Sequence, residues 1–80
     1  MNPMNTNPPK PPKVVVAPEG CPENFTEGKE YEVIRLWDKW DDRYGYGFIV
    51  KNDDGNECDC IENGCFYLNL LNWIIKEREQ

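Results

Sequence analysis

Four cysteines, Cys21, Cys58, Cys60 and Cys65, are the side chains best suited to chemistry in this sequence. Structural zinc sites usually take cysteines as close pairs separated by two to four residues, often with histidine, and this chain has neither. Cys58 and Cys60 would lie roughly 7 Å apart on a strand, too far for a disulfide. Free cysteine behaves as a small buried hydrophobe, so we predict core thiols and no bound metal, with a metal site or disulfides as the alternatives.

Pairs of carboxylates are the next candidates for chemistry, at Asp41/Asp42 and Asp53/Asp54. Hydrolysis requires a general base and usually a pocket, and no histidine is present to activate a nucleophile. Adjacent acids in turns point in different directions and are normally solvated. We therefore predict that the protein is not an enzyme and uses no cofactor and no small-molecule substrate.

The net charge of the chain restricts the classes of partner that it can bind. The chain has 80 residues and a formal net charge of -6, which argues against unspecific binding to nucleic acid or anionic lipid. No apolar run approaches the roughly 20 residues that span a bilayer, and the N-terminus lacks a signal-peptide core, so we expect a reducing cytosol and no membrane. An acidic domain suits a basic surface on another protein. Alternatively, the acidity only keeps a small domain soluble.

Proline divides the chain into two predicted parts. Six of the seven prolines lie in residues 1–18. Proline removes backbone donors and favours extended conformations, so residues 1–20 are predicted to be a flexible, disordered arm outside any sheet interior. Its "PPKPPK" repeat is interpreted as a tether, with a ligand for an aromatic groove as the alternative. Residues 21–80 are predicted to form the folded domain.

Alternating polar and apolar residues predict strands in that domain. Tyr31 and Val33 alternate with glutamates, and the alternation breaks at Val33-Ile34, where a bulge would suit a strongly curved strand. Residues 37–46 combine charges, aromatics and glycines without periodicity, and we predict a long loop there.

A hairpin is predicted in residues 47–60, "GFIVKNDDGNECDC". If Asn52 faces Asn56 across the turn, one face of the two strands is apolar, and it carries Phe48, Val50, Cys58 and Cys60. "CFYLNLLNW" then predicts a short helical turn, and "WIIK" a final strand with Trp73 in the core. This order predicts a mostly β fold, a small SH3-like barrel of about five strands with one helical turn near the C-terminus.

Three short motifs resemble a set of very small bacteriophage-encoded proteins. They are "FTEGKEYEV", "GFIVKNDDGNE" and "CFYLNLLNW", and the resemblance covers roughly residues 25–75. Members of this set look SH3-like and mostly have no assigned activity. The resemblance therefore implies an SH3-like fold and a viral origin, and with it a location in the host cytoplasm.

The long loop is the predicted partner-binding site. Its candidate contact residues are Trp37, Asp38, Trp40, Asp41, Asp42, Arg43, Tyr44 and Tyr46. Tryptophan, tyrosine and arginine dominate interface energetics, and the acidic neighbours would steer the loop toward a basic surface. Alternatively, Trp37 and Trp40 fold back onto the core.

The expected function follows from charge, loop and resemblance together. We predict a non-catalytic interaction module that binds, and inhibits or redirects, a host or defence protein with a basic surface, in the extreme by presenting carboxylates where DNA phosphates would sit. The alternative is a small barrel that stacks single-stranded nucleic acid on the loop aromatics, which the acidic surroundings disfavour.

Overall fold

A computed structural model describes residues 8–80 of the chain, which form two three-stranded antiparallel sheets and one 3-10 helix. The strands are β1 (Pro12–Val16), β2 (Glu30–Glu32), β3 (Arg35–Asp41), β4 (Gly45–Lys51), β5 (Glu57–Ile61) and β6 (Ile74–Arg78), and the 3-10 helix is Phe66–Leu68. The first sheet has the order β2-β1-β6 and the second the order β3-β4-β5. The mostly β prediction is confirmed. Within residues 8–80 no helix is long and apolar enough to cross a membrane.

Strand β1 corrects the prediction of a flexible arm over residues 1–20. It is the central strand of the first sheet, paired with β2 on one side and β6 on the other. Proline does not prevent this, because Pro12 is the first residue of the strand and the residues that follow are lysine and valines. Val15 is fully buried, so the folded unit begins before residue 21. The part of the arm prediction that covers residues 1–7 lies outside the described residues.

The structure confirms the hairpin predicted in residues 47–60, together with its register. β4 and β5 pair Val50 with Cys58 and Phe48 with Cys60, and all four side chains are buried. The turn is fixed by Asn52, whose Oδ1 accepts the backbone N–H groups of Asp54 at 2.9 Å and Asn56 at 3.0 Å. Its side chain therefore replaces two backbone acceptors that a tighter turn would have supplied.

The predicted long loop over residues 37–46 is wrong, because most of that segment is a second hairpin. β3 and β4 are joined by a turn in which Asp41 Oδ1 accepts the N–H groups of Arg43 at 2.8 Å and Tyr44 at 3.0 Å. Nearly all of β3 is exposed and its register with β4 shifts twice. An edge strand with neither a buried face nor a regular ladder leaves no period-two pattern in the sequence.

The chain passes from the first sheet to the second at Val33-Ile34. The Val33 N–H donates to Lys13 O of the first sheet at 3.0 Å, and the Ile34 N–H donates to Ile49 O of the second at 2.8 Å. The irregularity was predicted at this point as a bulge within one curved strand. The structure instead places two strands, β2 and β3, in different sheets.

Between the sheets, Trp73 is the centre of an aromatic core. Its ring packs edge-to-face on Phe25, Tyr31 and Phe48, with ring centroids 5.3, 5.8 and 5.9 Å away. The core also contains three free thiols, on Cys58, Cys60 and Cys65, whereas Cys21 is partly exposed at its margin. The predictions that Trp73 and these three thiols are core residues are confirmed.

Candidate protein-interaction surface

The eight predicted contact residues do not form one surface. Trp37 lies over Gly47, where a Cβ atom would come within 2.7 Å of the indole Cε2. Trp40 packs edge-to-face on Tyr46, with ring centroids 5.4 Å apart. Tyr46 and Gly47 are consecutive in β4 and therefore point to opposite faces of the sheet. The two tryptophans that contact them lie on opposite sides of the second sheet.

The Trp40–Tyr46 pair belongs to the folded structure. Tyr46 is 8% exposed, and its hydroxyl donates to Pro9 O at 2.7 Å. Trp40 Nε1 donates to Asp42 Oδ1 at 2.9 Å, which keeps the indole beside Tyr46. Tyr46 is therefore corrected from a contact residue to an anchor for the chain segment that precedes β1.

The turn between β3 and β4 holds the other predicted residues on the surface. The two N–H groups that Asp41 accepts, Tyr44 first and Arg43 second, lower the pKa of its carboxyl. The Arg43 guanidinium lies 5.7 Å from the centroid of the Tyr44 ring. Asp38 accepts its neighbour's N–H and is exposed. Asp41, Arg43 and Tyr44 form an exposed hairpin tip, and Asp38 lies within β3 opposite Gly47, so these residues form no binding cleft.

Trp37 is held rigidly although it is 47% exposed. Its Nε1 donates to Cys60 O at 2.9 Å, and the absence of a side chain at Gly47 lets the indole lie against the sheet. The ring therefore spans β4 and β5 with one side against the backbone, and the other is available for contact.

Beside Trp37 lies a groove of about 400 Å³ on the outer side of the second sheet. We call it the aromatic groove, and its lining residues are Trp37, Asp59, Ile61, Gly64, Phe66 and Tyr67. Phe66 is 82% exposed and meets Tyr67 edge-to-face at 6.2 Å. Three aromatic side chains thus surround one concave surface that also contains a carboxylate.

The aromatic groove contains one carboxylate, and none of its lining residues is basic. The charge of Asp59 is the main reason that the pKa of Tyr67 lies above its ordinary value. Within residues 8–80, four ion pairs engage four of the fifteen acidic and four of the nine basic side chains, which leaves eleven acids and five bases outside them. Asp59 is one of those eleven acids.

Only Trp37 of the aromatic groove was predicted from the sequence. Phe66 and Tyr67 were treated as part of a helical turn. The signal that would have found them is the spacing of Cys65 and Leu68, both buried in the structure. In a 3-10 turn residues three apart share a face, so the two aromatic residues between them must point away from the core.

A second concave surface lies between the two sheets, near Asp53. It has a volume of about 420 Å³ and is lined by residues of both charges, among them Lys29, Glu30, Lys51 and Glu57. Its charged lining residues are two lysines and three glutamates, the third being Glu32, and its single aromatic lining residue, Tyr31, is buried.

At its edge, Asp53 joins residues from two of the sequence motifs. Its carboxylate accepts hydrogen bonds from Lys29 Nζ at 2.7 Å, Thr26 Oγ1 at 2.7 Å and the Tyr31 hydroxyl at 2.9 Å. Led by the Lys29 and Thr26 bonds, these contacts lower the pKa of Asp53 to about 2. The motif residues are thus explained by a cross-link between the β4–β5 turn and the segment before β2.

Replacing Asp53 should remove a contribution to the stability of the fold that is present at neutral pH and lost in acid. The carboxyl has a lower pKa folded than its usual 3.8, so it stabilises the fold above pH 3.8 and loses that effect as the pH falls through about 2. We expect Asp53→Asn to unfold at a lower temperature than the wild type at pH 7, with the difference disappearing by about pH 2.

Thermal unfolding followed by circular dichroism between pH 7 and pH 2 measures this effect. Asp54→Asn is the matched control, because it removes the same charge from the neighbouring exposed position. A constant difference between Asp53→Asn and wild type at all pH values would contradict the assignment.

The three buried thiols are core residues. The hydrogen bond with Cys65, followed by burial, raises the pKa of Cys60, and burial raises the pKa of Cys58. The same hydrogen bond lowers the pKa of Cys65 to about 6, but Cys65 is 1% exposed, so its sulfur is closed off from solvent. Cys60 Sγ donates to Cys58 O at 3.6 Å, as a protonated thiol does. Across residues 8–80 no group of three or more cysteine, aspartate or glutamate side chains is arranged to hold a metal ion.

Comparison with known proteins adds no assignment. A scan against protein-family models found no match, and searches of curated proteins and of solved structures found none either. The geometry of the chain itself is therefore the basis for any functional conclusion.

Proposed function

We propose that this protein is a non-catalytic, acidic protein-interaction module, and that the aromatic groove is its partner contact. The observation that carries the proposal is the exposure of Trp37, Phe66 and Tyr67 around one groove containing Asp59. The partner is a protein that presents a basic surface. In contrast to the sequence prediction, the contact excludes Tyr46 and includes residues that follow β5.

Exposed aromatics are unexpected in a domain of this size. A small domain buries only about 60% of its unfolded surface, so large side chains are valuable in its core. Here three large rings remain at the surface side by side, and a continuous exposed apolar patch commonly marks an interaction site. A rigid ring loses little conformational entropy on binding, which favours Trp37 as an anchor.

Charge supports a basic partner. The net charge of -6 would accelerate encounter with a positive surface, and Asp59 extends the negative potential into the groove itself. A domain bound in this way would block whatever the basic surface normally holds. This is how an inhibitor of a nucleic-acid-binding host or defence protein would act, in keeping with the bacteriophage resemblance.

The proposal includes an SH3-like barrel as the scaffold. It is supported by the link between the sheets at Val33-Ile34 and, at the other end, by the Trp73 N–H, which donates to Glu62 O at 2.8 Å. The first link is the chain itself, which runs from β2 into β3, and the second joins the residue before β6 to the residue after β5. Links at both ends of the two sheets are consistent with the strand bending of a small closed barrel.

A comparative pull-down from bacterial lysate tests the proposal. The tagged wild type is compared with Phe66→Ser in the groove and with Ile74→Ser, an exposed aliphatic residue of β6 that serves as the matched control. We expect a basic protein to be retained by wild type and Ile74→Ser at about 0.1 M salt, lost with Phe66→Ser, and released at about 0.5 M salt. Equal retention by all three proteins would remove the groove from the function.

Nucleic-acid binding is tested in the same samples. Stacking of bases on the exposed rings would give binding to a labelled oligothymidylate at low salt that Phe66→Ser abolishes. That result would overturn the protein-binding proposal. We expect no binding, because Asp59 would repel the phosphates.

A further inference from the structure

We infer that the aromatic groove accepts an arginine side chain of the partner protein, with the guanidinium stacked on Trp37 and paired with Asp59. This inference rests on the proposed function and names the chemistry of its contact. The groove combines an indole, a phenyl ring, a phenol and a carboxylate in about 400 Å³. Aromatic faces attract cations through the ring quadrupole, and tryptophan attracts them most strongly.

The indole is fixed before any ligand arrives. Trp37 Nε1 is held by Cys60 O, and its inner face is seated on the backbone at Gly47. Rotation of the ring would break that hydrogen bond, so the exposed face keeps its orientation. Stacking a planar cation on a fixed ring has a smaller entropic cost than ordering a mobile side chain.

The carboxylate belongs to the outer face of β5. Asp59 alternates with the inward-pointing Cys58 and Cys60, and it is paired in register with Ile49 on β4. Ile49 is in turn paired with Arg35 on β3, so one row across the sheet contains an arginine, an isoleucine and an aspartate.

The nearby arginine of the chain itself, Arg35, forms its ion pair with Glu57 and not with Asp59. Its Nη2 lies 2.8 Å from Glu57 Oε1, two residues before Asp59 on the same face of β5. Asp59 has no ion-pair partner within residues 8–80 and borders the groove on the other side. The charge of Asp59 is also the first cause of the raised pKa of Tyr67, which lies beside it in the groove.

Arginine fits these groups better than lysine. A guanidinium is planar, stacks on aromatic rings, and can donate two parallel N–H groups to one carboxylate. An ammonium ion has no plane to stack and is more strongly hydrated. The groove is lined by the ring and the carboxylate together, and a guanidinium can stack flat on the ring while it donates two parallel N–H groups to the carboxylate.

Titration of the isotope-labelled full chain with small probes tests the inference by NMR. The probes are N-acetyl-arginine methylamide, its lysine analogue, and the citrulline analogue, which keeps the shape of arginine without its charge. We expect saturable shifts of the Trp37 indole N–H and the Tyr67 amide with arginine, about five-fold weaker binding of lysine, and no shift with citrulline. Equal binding of arginine and lysine would overturn the inference.

Two isosteric variants distinguish a specific contact with Asp59 in the groove from an effect of the net charge of the protein. Asp59→Asn should weaken arginine binding about five- to ten-fold, whereas Asp54→Asn, which removes the same charge from the β4–β5 turn, should leave it nearly unchanged. Equal weakening by both variants would reduce the effect to net charge and overturn the inference. If the pull-down loses its protein with Phe66→Ser while the arginine probe produces no shift, the inference fails and the proposed function stands.

Discussion

We expect Trp73→Ala to lower the free energy of unfolding by about 4 kcal/mol. Trp73 is the ring that Phe25, Tyr31 and Phe48 all contact, and it is 4% exposed. Truncation leaves a cavity in the middle of that aromatic core. Because small domains have total stabilities of only about 5–15 kcal/mol, this loss removes a large share of the whole. Urea unfolding followed by far-UV circular dichroism measures it.

Trp73→Phe keeps the prediction testable if the alanine variant does not fold. The indole Nε1 is buried, has no hydrogen-bond partner within residues 8–80, and lies near the sulfurs of Cys60 and Cys65. Phenylalanine removes this unsatisfied donor as well as part of the ring, so the two effects partly offset each other. We expect a loss below about 1.5 kcal/mol. A loss as large as that of alanine would show that the donor is satisfied, in contradiction to the structure.

We expect Arg78→Met to lower the free energy of unfolding by about 3 kcal/mol. The Arg78 guanidinium binds the Glu62 carboxylate through two nitrogens, at 2.9 and 3.2 Å, and also donates to Lys10 O at 2.8 Å. The Glu62 side chain is only 4% exposed. Without the arginine a buried carboxylate is left with the Tyr46 N–H as its remaining donor.

Lys76→Met is the matched control for Arg78→Met. It removes a cation from the same strand, but Lys76 pairs with Glu30 in an exposed position, so we expect a loss below about 0.5 kcal/mol. Adding Glu62→Gln to Arg78→Met should recover part of the stability, because it removes the stranded charge. Similar losses from Lys76→Met and Arg78→Met would contradict a buried ion pair.

The β4–β5 hairpin could be predicted from the sequence because local and long-range signals agree there. The Asp-Asp-Gly turn fixed the register, and the register placed Phe48, Val50, Cys58 and Cys60 together on one buried face. The helical turn before Trp73 followed from the same kind of local pattern. In these segments turn chemistry and burial determine the structure without knowledge of the rest of the fold.

The remaining elements depend on partners that are distant in the sequence. β1 has the composition of a linker at its start, and only its pairing with residues 30–32 and 74–78 makes it a strand. β3 lacks a buried face because Trp37 lies over the outside of the sheet instead of in the core. The aromatic groove combines Trp37 of β3 with residues 59–67, and the sequence does not indicate that these two stretches meet.

The pairing of β1 with β6 has a consequence for biosynthesis. β1 pairs with residues 74–78 on one side, so the first sheet remains incomplete until those residues have been translated. Such distant pairings carry a loop-closure cost and slow folding. In a nascent chain that has reached only β2, the side of β1 that faces β6 stays unpaired.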